Sequence, residues 1–218
     1  MFHLDGGNIH SYRKMIHHMD EGIGSLVDAL RKSGQLDNTL IVFTSDNGGE
    51  RFSDNWPLVG GKMDLTEGGI RVPYIAHWPA VIKAGQVSQQ QCLTMDWSAT
   101  MLDCAGISAA AGFAWDGVSL RGVLSGQAEF ERKLFWRMKH RNQRAMRWGD
   151  WKYLKVDDHE YLFNIPADER ERANLAQQQP QRLSDMRQAW LTWEQGVPEI
   201  SADATVSLGY GLPNMPQR

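Results

Sequence analysis

Cysteine is scarce in this chain: its 218 residues hold two, Cys92 and Cys104. Two isolated cysteines build no disulfide framework and assign no compartment. Cys104, inside Met101-Leu102-Asp103-Cys104-Ala105, reads as a small core residue. No apolar run approaches transmembrane length, and the first seven residues, Met-Phe-His-Leu-Asp-Gly-Gly, carry neither a basic n-region nor an apolar h-region. Charge of one sign is missing too. The 23 Lys and Arg face 26 Asp and Glu, a formal net charge of −3. That balance gives no bulk support to nucleic acid or an anionic membrane as a partner, and neither is expected. There is no internal repeat.

What is present is ordinary in bulk and unusual in one respect. Hydrophobic content of 42% and charged content of 22% suit a globular chain. The length suits one large domain, or one domain with a small appendage. Nine tryptophans are many, and Trp136, Trp148, Trp151, Trp190 and Trp193 fall late in the chain. Core packing is the default reading for them; stacking on a sugar or aryl ligand is the alternative.

Periodicity divides the chain. Met15, Met19, Ile23, Leu26 and Leu30 recur at helical spacing, with Ile16 and Val27 widening the stripe, so residues 12–34 read as one amphipathic helix stopped by Gly34. After a short connector, residues 39–44 form a near-continuous apolar strand, the pattern of a strand covered on both faces. Helix, short loop and buried strand make half of a parallel crossover unit. Residues 48–69 are glycine-rich and irregular, a length of loop that is usually functional or disordered. A strand at 72–78 and a short helix at 96–105 follow. Beyond about Gly126 apolar residues alternate with basic ones through Leu134-Met138, Arg144-Trp148 and Trp151-Val156. Gly149-Asp150 is placed to turn a tight hairpin, Tyr161-Phe163 can add a strand, and residues 182–194 can add a covering helix. The expected organisation is an α/β domain over 1–126, a small α+β subdomain over 127–200 and a loosely held tail over 201–218.

The chemistry concentrates at two places. Ser45-Asp46-Asn47-Gly48-Gly49 sets a carboxylate beside a carboxamide at the carboxyl end of an apolar strand. Ligands of open α/β sheets collect at such strand ends, and adjacent oxygen donors suit a hard cation such as calcium or magnesium. An Asp-Asn-Gly turn that merely ends the strand is the simpler account of the same residues. Downstream, Gly60-Gly61-Lys62 frames a lysine with glycines, which lets a compact positive charge be aimed at an anion. Thr66-Glu67-Gly68-Gly69-Ile70-Arg71-Val72-Pro73 follows.

Taken in order, these segments resemble the sulfatases, the arylsulfatase-like branch of the alkaline phosphatase superfamily. The resemblance is carried by residues 18–24, 38–49, 62–73 and 115–120. It continues through Arg147-Trp148-Gly149-Asp150-Trp151-Lys152-Tyr153-Leu154, Tyr161-Leu162-Phe163-Asn164 and Asn174-Leu175-Ala176. Each motif is weak alone; their collinear order is specific. The resemblance implies part of an alkaline-phosphatase-like mixed or parallel sheet with flanking helices, followed by a small antiparallel sheet and helix. It implies that Asp46 and Asn47 bind a divalent cation, calcium before magnesium, and that Lys62 contacts the sulfate ester. Lys139, His140 and Arg141 would touch substrate at the pocket rim. Glu67 and the adjacent glycines shape the loop, with Arg71 as a structural salt-bridge partner.

The family's Cys- or Ser-x-Pro-x-Arg motif, whose first residue becomes formylglycine, occurs nowhere in the sequence. Neither do the early paired aspartates, nor the upstream lysine and histidines. His3 stands in the wrong context for one of those histidine roles. The chain is therefore expected to correspond to the C-terminal part of a sulfatase. Alone it would bind its cation weakly and lack activity, and it would self-associate or join a separately encoded N-terminal half. Two other readings stay open. The basic run Lys133, Arg137, Lys139, His140, Arg141, Arg144 and Arg147 could grip a polyanion or glycan without catalysis. A phosphoesterase of the same superfamily would use the same oxygens and lysine.

Overall fold

The computed structural model describes residues 8–50 and 52–204. His3 and all of the tail beyond residue 204 lie outside the described residues. Helices and antiparallel sheets together give an α/β protein. The chain divides into two compact units, one built from Met1–Asp54 and Arg71–Arg132, the other from Asn55–Ile70 and Lys133–Arg218.

The first unit opens with helix α1 (Ile9–Lys32). Asn8 caps it: its side-chain oxygen accepts the Ser11 N–H at 2.9 Å, satisfying one of the donors that a helix start leaves unpaired. Arg31 and Lys32 sit in the last turn, where cations suit the dipole, and Gly34 leaves the helix with φ 71°. The expected apolar stripe is present but uncovered. No residue of α1 is buried, and Met15 and Leu26 are 70% and 58% exposed.

Strand β1 (Ile41–Thr44) follows, and after a break in the first unit β2 (Tyr74–His77) pairs with it. The β1–β2 pairing is antiparallel, with Phe43 opposite Ile75. One sequence expectation changes here. None of the four β1 residues is fully buried, although the apolar run signals cover on both faces. A continuous apolar strand reports what its faces could bury, not which direction its neighbour runs. Among the described residues β2 is the strand that pairs with it.

Helix α3 (Met95–Cys104) comes after the four-residue helix α2 (Glu67–Ile70), which lies in the second unit. Its first turn is anchored by Asp96, fully buried, which accepts N–H bonds from Leu93 at 2.6 Å and Val118 at 2.9 Å and pairs with Arg132 at 2.6 Å. Tyr74 stacks on Trp97 with ring centroids 5.7 Å apart. Cys104 is half-buried rather than a core residue, because it lies at the helix end, and both cysteines are free thiols. The short helix α4 (Arg121–Leu124) also belongs to this unit.

The second unit is a four-stranded antiparallel meander, β3 (Lys133–Met138), β4 (Gln143–Trp148), β5 (Trp151–Val156) and β6 (His159–Asn164). Gly149, at φ 56°, and Asp150 turn the β4–β5 hairpin, with Trp148 opposite Trp151. A two-residue turn needs a positive φ, and glycine supplies it without a steric penalty. The strands bury both faces, so side chains alternate between two cores. On one face Ala145, Leu154 and Phe163 pack with Leu65 and Ile70 of the glycine-rich segment. On the other Met146, Tyr153 and Leu162 pack with Met186 and Trp190 of helix α5 (Pro180–Glu194). Burying side chains of this size stabilises by about 1.5–3 kcal/mol each. The late tryptophans follow their default reading: Trp190 is 1% exposed, and its Nε1–H donates to the Trp136 carbonyl at 3.0 Å. No helix of the described residues is long and apolar enough to cross a membrane.

Candidate active site

Asp46 and Asn47 belong to the first unit and lie just past the carboxyl end of β1. The turn is fixed locally. The Ser45 hydroxyl donates to the Asn47 carbonyl at 2.8 Å, and Asn47 Nδ2 donates to the Gly48 carbonyl at 2.9 Å. That bond holds the amide group in one orientation and directs its Oδ1 away from Gly48. Asp46 is exposed, Asn47 half-buried and Gly48 buried. A carboxylate and a carboxamide oxygen fit part of a hard-cation shell, which needs six or more oxygens for calcium. Among the described residues no three His, Cys, Asp or Glu side chains gather as a metal-holding group.

Lys62 belongs to the second unit and is exposed. Its segment is held by backbone packed on backbone. The Gly68 N–H donates to the Val59 carbonyl at 2.8 Å, and Asp64 N–H donates to the Gly61 carbonyl at 2.9 Å. A Cβ on Gly69 would stand 2.0 Å from the Asp64 carbonyl oxygen, and one on Gly68 would stand 2.4 Å from that of Val59. Only glycine permits that approach. Met63, directly after Lys62, takes φ 75°, a left-handed conformation that a side chain of this size rarely adopts.

Beneath the segment lies a group of buried charges whose pairing the sequence does not announce. Glu67 (1% exposed) accepts from Lys152 Nζ at 3.0 Å and from Arg147 at 2.9 Å. Lys152 (0% exposed) also meets Glu171 at 2.8 Å, and Glu171 Oε2 accepts the Glu67 N–H at 2.6 Å. Burial pushes the Glu67 carboxyl up, but Lys152 and Arg147 outweigh it and hold the group below its ordinary range. For Glu171 burial prevails over Lys152 and the carboxyl is raised. The salt-bridge partner in this motif is thus Glu67. Arg71, expected in that role, is exposed and forms no ion pair among the described residues. A signal for Lys152 existed: with period 2 it shares the face of Leu154, which is apolar and buried.

Lys139, His140 and Arg141 form the turn between β3 and β4. Lys139 Nζ donates to the carbonyls of Ser201, at 3.1 Å, of Ala202, at 2.7 Å, and of Ala204. Arg141, at φ 54°, stands 3.6 Å from Asp157. Other members of the basic run also have internal partners. Lys133 lies over Trp148 at 3.9 Å and Arg144 over Trp190 at 4.7 Å, while Arg147 is in the buried ion group. Gln143, 2% exposed, links this turn to the lysine segment. Its Oε1 accepts the Leu65 N–H at 2.9 Å, and its Nε2 donates to the carbonyls of Met63 at 2.8 Å and His140 at 3.1 Å.

Comparison with known proteins puts these features in context. A family model described as Sulfatase matches residues 5–107, and one described as N-sulphoglucosamine sulphohydrolase, C-terminal, matches residues 61–190. N-acetylgalactosamine-6-sulfatase of Homo sapiens is 35% identical over 131 residues, covering 57% of this chain and 25% of that protein. Choline-sulfatase of Rhizobium meliloti (strain 1021) is 35% identical over 175 residues, 77% of this chain and 33% of that protein. The solved structure of Ps i-CgsB in complex with k-i-k-neocarrahexaose matches with a TM-score of 0.78 at 32% identity. The match covers 87% of this chain and 44% of that one. The chain thus spans about a quarter to a third of the length of these curated relatives. The C-terminal model alone covers more than half of the residues, and it overlaps the Sulfatase model across the Lys62 segment: the chain belongs to the sulfatase family.

Proposed function

We propose that this chain forms part of a sulfuric ester hydrolase, contributing two oxygen ligands for a divalent cation and a lysine for the sulfate. The observation that carries this reading is the Ser45–Gly49 turn, placed past the end of β1 in a chain of the sulfatase family. Asp46 and Asn47 would hold the cation, calcium before magnesium, and a bound cation would offset negative charge on the ester oxygens. Lys62, exposed on its glycine-braced segment, would supply a positive charge to the sulfate ester. Lys139, His140 and Arg141 stand at the substrate rim, where backbone partners of Lys139 set the turn rather than the substrate alone. The substrate is a sulfate ester, in keeping with the names of the matched relatives.

The reading includes a limit on activity. Without a formylglycine-forming motif in its 218 residues, the chain by itself has no nucleophile for sulfur and does not turn over. A second polypeptide, such as another copy of this chain, would meet the uncovered apolar stripe of α1. The test uses purified chain with an aryl sulfate and calcium. Turnover should not exceed that of Lys62→Ala, and calcium should raise the melting temperature of the parent chain but not of Asp46→Asn. Turnover clearly above the lysine variant, or an identical calcium response in both proteins, would sink the proposal.

A further inference from the structure

We infer that Gln143 is a positioning residue that sets the lysine segment and the 139–141 turn as one unit; its functional weight rests on the reading of Lys62 as sulfate-facing. Gln143 opens β4 and lies opposite Met138, so its side chain enters the sheet face that the segment 55–70 covers. A buried carboxamide is costly unless its oxygen and both N–H groups find partners. Here they do, and the partners come from two segments of the chain. Oε1 takes the Leu65 N–H, while Nε2 serves the carbonyls of Met63 and His140. Met63 follows Lys62 directly, and His140 lies in the middle of the second basic group.

Backbone conformation gives an independent reason to assign a role. Both segments that Gln143 grips contain non-glycine residues in the left-handed region: Met63 at φ 75°, Arg141 at 54° and Asn142 at 44°. Such conformations persist only where surrounding contacts over-determine them. Gln143 makes those contacts for Met63 on one side and for the turn on the other. A lysine aimed at an anion gains from a fixed backbone, because an orientation held in advance costs nothing further on binding.

The test uses the full 218-residue chain, 15N-labelled, with inorganic sulfate as the probe. In Gln143→Met, Leu65 amide exchange should speed by about tenfold or more, the gain expected from losing a buried hydrogen bond. Amide resonances of residues 62–66 and of 139–142 should move together, while those of Tyr153 and Leu162 stay in place and report an intact sheet. Sulfate affinity should weaken by about tenfold. In its ionised form, at about pH 8, Gln143→Glu keeps the acceptor for Leu65 and has no donor, so it should restore Leu65 protection without restoring the His140 resonance. Unchanged Leu65 exchange, or shifts confined to β4, would overturn the inference. If the methionine variant does not fold, the glutamate variant decides by the same split between Leu65 and His140. If Lys62→Ala leaves sulfate affinity unchanged, the sulfate-facing reading fails, and exchange and shifts judge the bridge by themselves.

Discussion

The Lys152 ammonium lies 3.0 Å from a Glu67 carboxylate oxygen, and both side chains are shut off from solvent. Glu67 belongs to the conspicuous Glu-Gly-Gly segment, Lys152 to an apolar strand 85 positions later. Their ion pair ties the glycine-rich segment to the sheet. Arg147 and Glu171 complete a group of two positive and two negative side chains. A buried pair of this kind need not add net stability, since desolvation costs several kcal/mol per ion. Removing one partner alone is a different matter, because it strands the other.

Lys152→Met should therefore destabilise the chain by about 3–5 kcal/mol, since it leaves Glu67 and Glu171 facing each other without their shared cation. Urea unfolding followed by tryptophan fluorescence measures this directly. A loss under about 1 kcal/mol would mean that water or Arg147 compensates, and that the ion group does not hold the segment.

Acid should weaken the fold through Glu67 and Glu160. Both carboxyls lie below their ordinary range: Glu67 because Lys152 and Arg147 outweigh the effect of burial, Glu160 because Arg187 donates hydrogen bonds to it. A depressed carboxyl contributes stability above its unfolded value, about 4.3, and that stability is lost as pH falls through the folded value. Glu171 acts in the opposite sense. Its raised carboxyl favours the fold below the unfolded value, and that contribution fades as pH rises through the folded one. The urea midpoint should fall with pH below about 4.3, and Glu160→Gln should flatten the fall. An equal slope in both proteins would contradict the assignment of Glu160.

Two glycine substitutions should differ in sign. Gly69→Ala drives a Cβ to 2.0 Å from the Asp64 carbonyl oxygen, so the segment must shift, at a cost of about 1–3 kcal/mol. Gly22, in the middle of α1, has nothing within 4 Å of where an added methyl group would stand, and alanine there should add about 0.5–1 kcal/mol of stability. Thermal melts of the two variants beside the parent chain decide both. A Gly69→Ala melt at or above the parent value would argue against the tight backbone packing around Lys62.

Cys92 should be a slow thiol. Burial and the nearby Asp96 carboxylate push it up to about 11, against a smaller opposing effect of Arg132. At pH 8 little of it is thiolate, the form that reacts. In a Cys104→Ser background, iodoacetamide should modify Cys92 far more slowly than a free cysteine, with a rate still climbing above about pH 9. A plateau near about pH 8.5 would show that the thiol is not perturbed.

Much of the fold was legible in the residues. The helix at α1 follows from apolar spacing, and the meander follows from alternation broken by Gly149-Asp150. The family was legible because the order of several weak motifs is more specific than any of them. The direction of β1 pairing was not legible, since an apolar run carries no information about its neighbour's polarity. Nor was Arg71 as against Glu67: both are charged residues of one short motif, and only burial separates a paired ion from a solvated one. Gln143 gave no signal of its link to the lysine segment, because its partners Leu65 and Met63 lie 78 and 80 positions away and meet it only on folding.

By itself, then, the sequence determined which residue types stand where: the Asp46-Asn47 oxygens at a strand end, Lys62 among glycines, two faces for a four-stranded sheet. These are local properties, encoded in spacing over a few residues. Tertiary structure alone decided that residues 55–70 join the C-terminal sheet, that Glu67, Arg147, Lys152 and Glu171 share one buried group, and that Gln143 spans two loops. The physical reason is that burial and hydrogen-bond satisfaction depend on which distant segments meet, and no window of neighbouring residues contains both halves of such a contact.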